Sequence, residues 1–449
     1  MKDKRLLRRI RFSPLALTSR IPAWLLLSAC VSLVVPEAAG WGKRGHGLIR
    51  AWAVERLPEW QRERIGEESL ANLATAYTSL QDQHAGKKAP HLDPYCVVPG
   101  LRLSLHDVNP AEPSIEVTRW YIARIAESLA AGEADEAMKF LGVLCHWNED
   151  PGVPSAHSSP ISEADLRILL PRSPEKENLN YLYGYGGIAD PSHARYEIPD
   201  EDYRPRLLGA DEREAAARIF HHQRLLERGA ASDIVPLVQA VLTDDAEAAD
   251  RVRARAALRN ARHVADLVHT VLCLAEDRIE PSEASALAEQ PLDAWLPDFE
   301  GGRTAHPYYV TPFLVGQAMD AERALHPLAF PGEEPEAEVE RGFGMGAPFA
   351  LSFPVAPGGL YERFTCRVGL HPAAGETGEI EFVIEVNGES LHATGPLRAG
   401  DPPEAIEVDL PARDFVTLTL RTVAGEGADP LHNLAVWAEP LLHRAEGAE

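Results

Sequence analysis

The hydrophobic pattern of this chain changes its period once, and this change restricts the folds open to it. Over residues 112–131 and 211–278 apolar residues recur about every 3.6 positions, which predicts amphipathic helices. From Gly342 onward the period becomes two, which predicts strands, and Asn387-Gly388 is a pair typical of a tight hairpin turn. A multidomain chain, with an all-α domain followed by an all-β sandwich, accommodates both patterns.

Length and proline content divide the chain further. With 449 residues it is too long for one ordinary core. Residues 301–341 combine several prolines with an acidic run, which is typical of a linker or strap. The sequence therefore predicts an all-α domain over residues 41–300 and a β-sandwich over residues 342–445.

Residues 1–40 have the composition of an export signal. A basic segment precedes an apolar run that is too short to cross a bilayer, and small residues lead up to Gly40. We expect a signal peptide that is removed after Gly40, so that the mature protein is secreted or periplasmic. Cys30 offers an alternative, because cleavage before it would leave a lipidated cysteine as the N-terminus.

Charge and cysteine content limit the partners. The formal net charge of -24 disfavours nonspecific binding of duplex nucleic acid at long range, although it does not exclude a nucleic-acid substrate. The four cysteines after residue 40 match no thiolate zinc motif, and we assign them no chemistry. They are Cys96, Cys145, Cys273 and Cys366.

The stretch from Cys145 to His157 carries the strongest metal-ligand signal. His146 and Asp150 are four residues apart, so both leave the same face of the helix that the apolar run before them predicts. Two prolines then end this helix and would bring His157 back toward the same point. Imidazole with carboxylate suits zinc. The alternative is a helix end with a capping histidine and a solvated acidic pair.

Other histidines and acids recur in order along the predicted helical domain. His193 and Glu197 repeat the spacing of four, and a glycine-rich segment at residues 41–47 lets the backbone approach a neighbour closely. By contrast, His263 and Asp266 are predicted to lie on the outer face of a packing helix. The ordered candidates are Trp41, His46, Asp82, His91, His146, Asp150, His157, His193 and Glu197.

In this order the candidates resemble the zinc-dependent phospholipase C and single-strand nuclease superfamily over residues 41–280. The resemblance implies an all-α domain with a trinuclear zinc cluster, in which Asp82 and Asp150 are catalytic carboxylates. The three zinc ions would be held in turn by Asp82, His91, His146 and Asp150; by His157, His193 and Glu197; and by the Trp41 amine and carbonyl, His46 and the second oxygen of Asp150.

Two intervals depart from the family pattern. The stretch from Asp150 to His157 is one residue longer, so that either Glu149 competes as a ligand or the loop bulges. The other interval, between the predicted ligands in the loop-rich segment, is shorter than usual, and His84 or Asp93 is an alternative to Asp82.

The β domain resembles a carbohydrate-binding module of the NPCBM type. The resemblance lies in residues 386–388, 394–397 and 429–437, although Asn433 stands where that family usually has an acid. It implies contact with a glycan or a cell surface through the C-terminal domain.

Together these features predict a zinc-dependent phosphodiesterase of the phospholipase C type that hydrolyses a phosphate ester with a metal-bound hydroxide. The Glu that ends residues 193–197 and the appended β domain resemble the phospholipase branch. The short gap between Trp41 and His46 resembles the nuclease branch, so a single-strand nuclease or 3′-nucleotidase is the first alternative. A non-catalytic glycan-binding or adhesion protein is the second. The expected substrate is phospholipid or single-stranded nucleic acid, and no protein partner is implied.

Overall fold

A computed structural model describes residues 41–87, 89–155, 188–191, 194–301, 313–332, 339–356 and 358–445 of the chain. The predicted signal peptide with Cys30, and the predicted ligands His157 and His193, lie outside these residues. In the part described, helices come first and strands follow, so the predicted order of an all-α domain and a β-sandwich is confirmed.

The helical domain contains long helices that the sequence predicts well. The helices predicted over residues 112–131 and up to His146 are present as α6 and α7 below. The last two long helices each begin at an aspartate, Asp211 or Asp245, whose side chain accepts hydrogen bonds from backbone N–H groups of the first turn. The helices are α1 (Lys43–Glu55), α2 (Glu59–Ile65), α3 (Glu67–Ala74), α4 (Leu80–Lys87), α5 (Asp93–Cys96), α6 (Ala111–Ala130), α7 (Ala134–Glu149), α8 (Glu212–Leu242), α9 (Ala246–Ala275) and α10 (Pro281–Ser285).

Helix α9 lies at the centre of this domain and packs against α1, α6, α7 and α8. The prediction that His263 and Asp266 lie on its outer face is wrong, because their exposures are 4% and 1%. Asp266 accepts hydrogen bonds from the Tyr203 hydroxyl at 2.9 Å and the Arg206 backbone N–H at 2.8 Å. These partners belong to an extended segment, 194–210, that covers the face predicted to be exposed. No described helix is long and apolar enough to cross a membrane.

The β domain is a sandwich of two antiparallel sheets. One has the strand order β11-β8-β13-β6-β3, with β1 also paired to β13, and the other has the order β10-β9-β12-β7-β2. Phe343, Phe353, Phe364, Phe382 and Trp437 are buried in its core. The strands are β1 (Glu289–Pro291), β2 (Asp298–Gly301), β3 (Phe313–Val315), β4 (Gln317–Met319), β5 (Leu325–Pro327), β6 (Gly342–Met345), β7 (Phe349–Ala356), β8 (Tyr361–Leu370), β9 (Glu379–Val386), β10 (Glu389–Arg398), β11 (Glu404–Asp409), β12 (Val416–Ala424) and β13 (Ala435–Arg444).

Two features of the β domain bear on its predicted boundaries. Asn387 and Gly388 have φ angles of 52° and 81° and join β9 to β10, as the hairpin signal predicts. The segment 301–341, predicted as a linker or strap, instead contributes strands β3, β4 and β5, and β3 extends a sheet by pairing with β6. Each of these strands has only three residues, which is too short for an alternating pattern to be recognised.

Candidate metal centre

Helix α7 carries His146 and Asp150 into the interior at its C-terminal end, where their exposures are 1% and 0%. The His146 Nε2 and Asp150 Oδ2 atoms are 3.3 Å apart, as their spacing of four residues predicts. A Cβ atom at Gly142 would lie 2.8 Å from the Tyr77 carbonyl oxygen. Glycine therefore lets α7 approach the turn Ala76–Ser79 closely.

Two further histidines from distant parts of the chain surround Asp150. His46, from α1, places Nε2 at 3.5 Å from Asp150 Oδ1. His106, from the loop before α6, places Nδ1 at 2.7 Å from Asp150 Oδ2. Asp82, from α4, places Oδ1 at 3.5 Å from His146 Nε2. We call these five residues, His46, Asp82, His106, His146 and Asp150, the Asp150 cluster.

The Nδ1 atoms of two histidines in the cluster, His146 and His46, are held by hydrogen bonds. His146 Nδ1 donates to the Thr78 carbonyl oxygen at 2.8 Å, and His46 Nδ1 donates to Glu149 Oε2. Each Nε2 atom is therefore left with its lone pair directed toward Asp150. A hydrogen bond of this kind from the other ring nitrogen fixes the tautomer of histidines that bind metals.

Three atoms of the Asp150 cluster are buried without a hydrogen-bond partner among the described residues: His46 Nε2, His146 Nε2 and Asp150 Oδ1. Buried polar atoms are nearly always satisfied, and an ion is one of the few explanations for those that are not. Candidate ligand atoms of His46, His146 and Asp150 lie within 4.8 Å of one another, and so do those of Asp82, His106 and His146. The donor set and its orphaned atoms thus fit a divalent cation.

A buried ion pair between Arg50 and Glu149 holds the carboxylate that contacts His46. Arg50 Nε and Nη2 donate to the two carboxylate oxygens of Glu149 at 2.8 and 3.0 Å, and Arg50 Nη1 donates to the Tyr77 carbonyl at 3.0 Å. Burial alone would raise the pKa of Glu149, but Arg50 and His46 lower it to about 2. Glu149, predicted as a competing ligand, therefore stays ionised and holds His46.

The charges of the cluster are strongly coupled. Burial would raise the pKa of Asp150, but His146, His106 and His46 hold it well below its usual range. Burial would lower the pKa of His146, but Asp150 and Asp82 raise it well above its usual value. Both pKa shifts have the same cause: the ionised carboxylates of the cluster are stabilised by positive charge beside them. A bound divalent cation would supply that charge directly.

The glycine-rich segment brings Trp41 next to α1. Trp41 is 1% exposed, five residues before His46. The Gly45 backbone N–H donates to Asp190 Oδ2 at 2.8 Å, and a Cβ atom at Gly45 would lie 2.9 Å from that oxygen and 3.0 Å from the Trp41 ring. These glycines therefore let the backbone approach Asp190 closely. The sequence did not single out this residue.

Two further predicted ligands that the structure describes, His91 and Glu197, are not part of the Asp150 cluster. His91 is exposed on the turn Pro90–Leu92, so the structure does not bring it to the position expected from the resemblance. His106, which the sequence did not single out, is the histidine found beside Asp150. Glu197 is exposed on an extended segment.

The alternatives offered for Asp82 do not join the cluster either. His84 Nε2 and Asp93 Oδ1 are 2.8 Å apart and pair with each other at the surface. Asp82, whose pKa burial would raise but His146 and His46 lower, is the carboxylate from this segment that reaches His146.

The four cysteines of the described chain are buried thiols. Burial raises the pKa of both Cys145 and Cys273 to about 12, so neither is a thiolate at neutral pH. Cys273 lies near His269 and Glu283, but His269 Nε2 is already hydrogen-bonded to Glu283 at 2.9 Å, and Gln61 covers the other side.

Residues 315–443 match the family model of the NPCBM/NEW2 domain. An NPCBM/NEW2 domain therefore forms the C-terminal part of the chain, as the resemblance predicted. No curated protein matches the chain.

Several solved structures are similar to parts of the chain. CBM51 from Clostridium perfringens GH95, in complex with methyl-galactose, has 16% identity and a TM-score of 0.28, over 34% of this chain and 99% of that one. The tandem CBM51 modules of Sp3GH98, the family 98 glycoside hydrolase from Streptococcus pneumoniae, have 15% identity and a TM-score of 0.27, over 36% of this chain and 49% of that one. The alpha-toxin of Clostridium perfringens has 12% identity and a TM-score of 0.32, over 88% of this chain and 86% of that one.

Proposed function

We propose that this chain is an exported zinc-dependent phosphoric ester hydrolase of the phospholipase C type. The observation that carries the proposal is the Asp150 cluster, in which two imidazole Nε2 atoms and a carboxylate oxygen are buried without hydrogen-bond partners among the described residues. Glu149 and the Thr78 carbonyl hold the opposite ring nitrogens, so both imidazoles present a lone pair to the same point. The composition of residues 1–40 supports export.

The donor set suits zinc and exceeds what one ion takes. His46, Asp82, His106, His146 and Asp150 supply nitrogen and oxygen ligands, whereas a zinc site has about four ligands in all. Asp150 directs one oxygen toward His46 and the other toward His106 and His146, so these residues would hold more than one ion if zinc were bound. The ion that the resemblance assigns to His157, His193 and Glu197 would draw on two residues outside the described chain, His157 and His193.

Zinc, when bound, supplies a Lewis acid for phosphoryl oxygens and lowers the pKa of water enough to make it a nucleophile. The chain itself orients the ligands and controls access. The Asp82 side chain is 39% exposed, whereas those of His106 and Asp150 are 11% and 0% exposed. Substrate would therefore approach from the Asp82 side, where this carboxylate can accept a proton from the attacking water.

Two further observations support the phospholipid substrate and the surface role. The net charge of -24 disfavours long polynucleotides, because their phosphates are repelled at long range. The match of residues 315–443 to the NPCBM/NEW2 domain supports a glycan contact that would keep the enzyme at a cell surface.

The first test is metal content together with activity. We expect purified protein to contain zinc and to release phosphocholine from phosphatidylcholine, and we expect His146→Ala to lower both by at least about tenfold, since a metal ligand is lost. His371→Ala is the matched control: His371 is also buried, at 5% exposure, but lies in the β domain, so zinc and activity should be retained.

The alternatives give different results in the same experiment. Release of nucleotides from single-stranded DNA without release of phosphocholine would identify the nuclease or 3′-nucleotidase. Protein that binds no zinc and still binds glycans would identify the non-catalytic binding protein and would end the hydrolase proposal.

A further inference from the structure

A cavity of about 550 Å³ adjoins the Asp150 cluster at His106. This volume lies within the range of about 300–1,000 Å³ that is typical of small-ligand sites. His106 lines the cavity and contacts Asp150, and Gln81, which also lines it, directly precedes Asp82. His106 is therefore shared by the cavity and the cluster. Its wall includes six branched aliphatic side chains, those of Val97, Val98, Leu101, Leu103, Leu105 and Val117, and also the polar residues His84, Arg102 and Ser104.

The side chains of this wall favour phospholipid over single-stranded nucleic acid as the substrate. A nucleobase is held mainly by stacking on aromatic side chains. Among the described residues that line the cavity there is no Phe, Tyr or Trp. Branched aliphatic side chains pack instead against hydrocarbon, and Val97 is 48% exposed although it is apolar, as expected for a wall that a ligand covers.

One polar atom in the wall also lacks a partner. Gln81 is 6% exposed, and its Oε1 atom is buried without a hydrogen-bond partner in the described chain. An alcohol hydroxyl would satisfy it. Hydrolysis of a glycerol phosphodiester breaks the bond between phosphorus and the glycerol oxygen, forms a bond from phosphorus to the water oxygen, and leaves a proton on the glycerol oxygen. The hydroxyl created in this way is the donor that Gln81 requires.

We propose that this cavity is an acyl-chain pocket, which holds a hydrocarbon chain of a phospholipid while the phosphate ester lies at the Asp150 cluster. The proposal rests on the proposed function, because it places the apolar part of the substrate beside the same centre. It goes further by assigning the choice between lipid and nucleic acid to the residues around Leu103.

The test is a ratio of specificity constants. We compare kcat/KM for dihexanoyl and dibutanoyl phosphatidylcholine below their micelle-forming concentrations, and expect about a fourfold gain for each methylene that the pocket buries. Leu103→Gln should lower the ratio toward one, and so, to a smaller extent, should Val97→Thr, which keeps the side-chain shape at a half-exposed position. Leu225→Gln is the matched control, since Leu225 is an exposed leucine on α8, and its ratio should equal that of the wild type.

Other outcomes separate the pocket from the function. Wild-type ratios in both Leu103→Gln and Val97→Thr would overturn the pocket while leaving phospholipid hydrolysis intact. If the protein hydrolyses no phosphate ester, the proposed function fails, and the pocket is judged by calorimetric titration with dihexanoyl phosphatidylcholine. Binding that Leu103→Gln weakens about tenfold supports the pocket; equal affinity, or no binding to the wild type, overturns it.

Discussion

Glu149 is the residue on which the orientation of His46 depends. Its carboxylate accepts from His46 Nδ1 and, through both oxygens, from Arg50, and all three side chains are fully buried. A buried carboxylate that is paired with a buried guanidinium cannot be removed without leaving that guanidinium unpaired. Glu149 therefore has two roles: it supports His46, a proposed metal ligand, and it forms half of a buried ion pair.

Replacing Glu149 with Gln should separate these two roles. We expect zinc affinity to fall by about 10- to 100-fold, because the amide orients His46 less well. We also expect the free energy of unfolding of the metal-free protein to fall by about 3–5 kcal/mol, because Arg50 stays buried without a countercharge. Competition with a chelator measures the first quantity, and urea denaturation measures the second.

The control for this variant is Glu201→Gln. Glu201 also pairs with an arginine, Arg262, but near the surface. Loss of that pair should change stability by no more than about 1 kcal/mol and should leave zinc affinity unchanged. Equal effects of the two variants would show that Glu149 is an ordinary ion-pair residue with no bearing on the metal.

Sequence patterns predict only those site residues that lie close together in the chain. His146 and Asp150 are found because a helix places positions four apart on one face. His106 sits in a loop without periodicity, and the Arg50–Glu149 pair spans 99 residues, so no spacing rule indicates either. The partners of Asp150 are set by tertiary packing of α1, α4 and α7, which a pattern in one segment does not encode.

At the scale of elements, the turn after α7 is held by α9. The short helical turn Asp150–Gly152 continues α7, and Asn260 Nδ2, from α9, donates to the Gly152 carbonyl at 3.0 Å. A Cβ atom at Gly152 would lie 2.2 Å from that nitrogen. The position of Asp150 is thus linked to the contact between two helices.

This link predicts coupling between Gly152 and Asn260. Gly152→Ala should lower the free energy of unfolding by about 1–3 kcal/mol, because the new methyl group displaces the Asn260 amide. In an Asn260→Ala background the methyl group has room, so the two changes together should cost less than the sum of each alone. Additive effects in denaturant titrations would mean that the turn relaxes without touching Asn260.

The strands of the segment 301–341 show why element boundaries are harder to predict than element types. Long strands such as β8 and β9 alternate clearly and were predicted. Strands β3, β4 and β5 each pair with a neighbour over only three residues; β3 joins a larger sheet through β6, whereas β4 and β5 pair with each other. Short segments of this kind have the composition of a linker until their partners are known.

At the scale of the whole molecule, the two domains meet along α6 and α8. His221 stacks on Trp295, with ring centroids 3.8 Å apart and an angle of 6° between the planes, and its Nε2 donates to the Pro354 carbonyl at 2.6 Å. Phe415, from the β domain, packs against a cluster that contains Ile115 and Phe220. This contact would couple the orientation of the β domain to that of the Asp150 cluster.

The same contact makes stability depend on pH. Burial, reinforced by Arg224, His222 and Arg218, lowers the pKa of His221 to about 3 in the folded protein, whereas an unfolded histidine titrates near about 6.5. As the pH falls below about 6.5, the unfolded chain takes up this proton and the folded chain does not. The free energy of unfolding therefore does not change through His221 above that pH. Below it, this free energy falls by about 1.4 kcal/mol per pH unit until about pH 3.

His221→Gln should remove this one-proton dependence while its amide keeps a donor for the Pro354 carbonyl. Between pH 6 and about pH 4 the slope of unfolding free energy against pH should be smaller than in the wild type by about 1.4 kcal/mol per unit. The other groups are the same in both proteins, so their contributions cancel in the difference. His91→Gln, at an exposed position, should follow the wild type. An unchanged slope in His221→Gln would mean that the interface opens to admit the proton, and the two domains would then not be rigidly joined at α8.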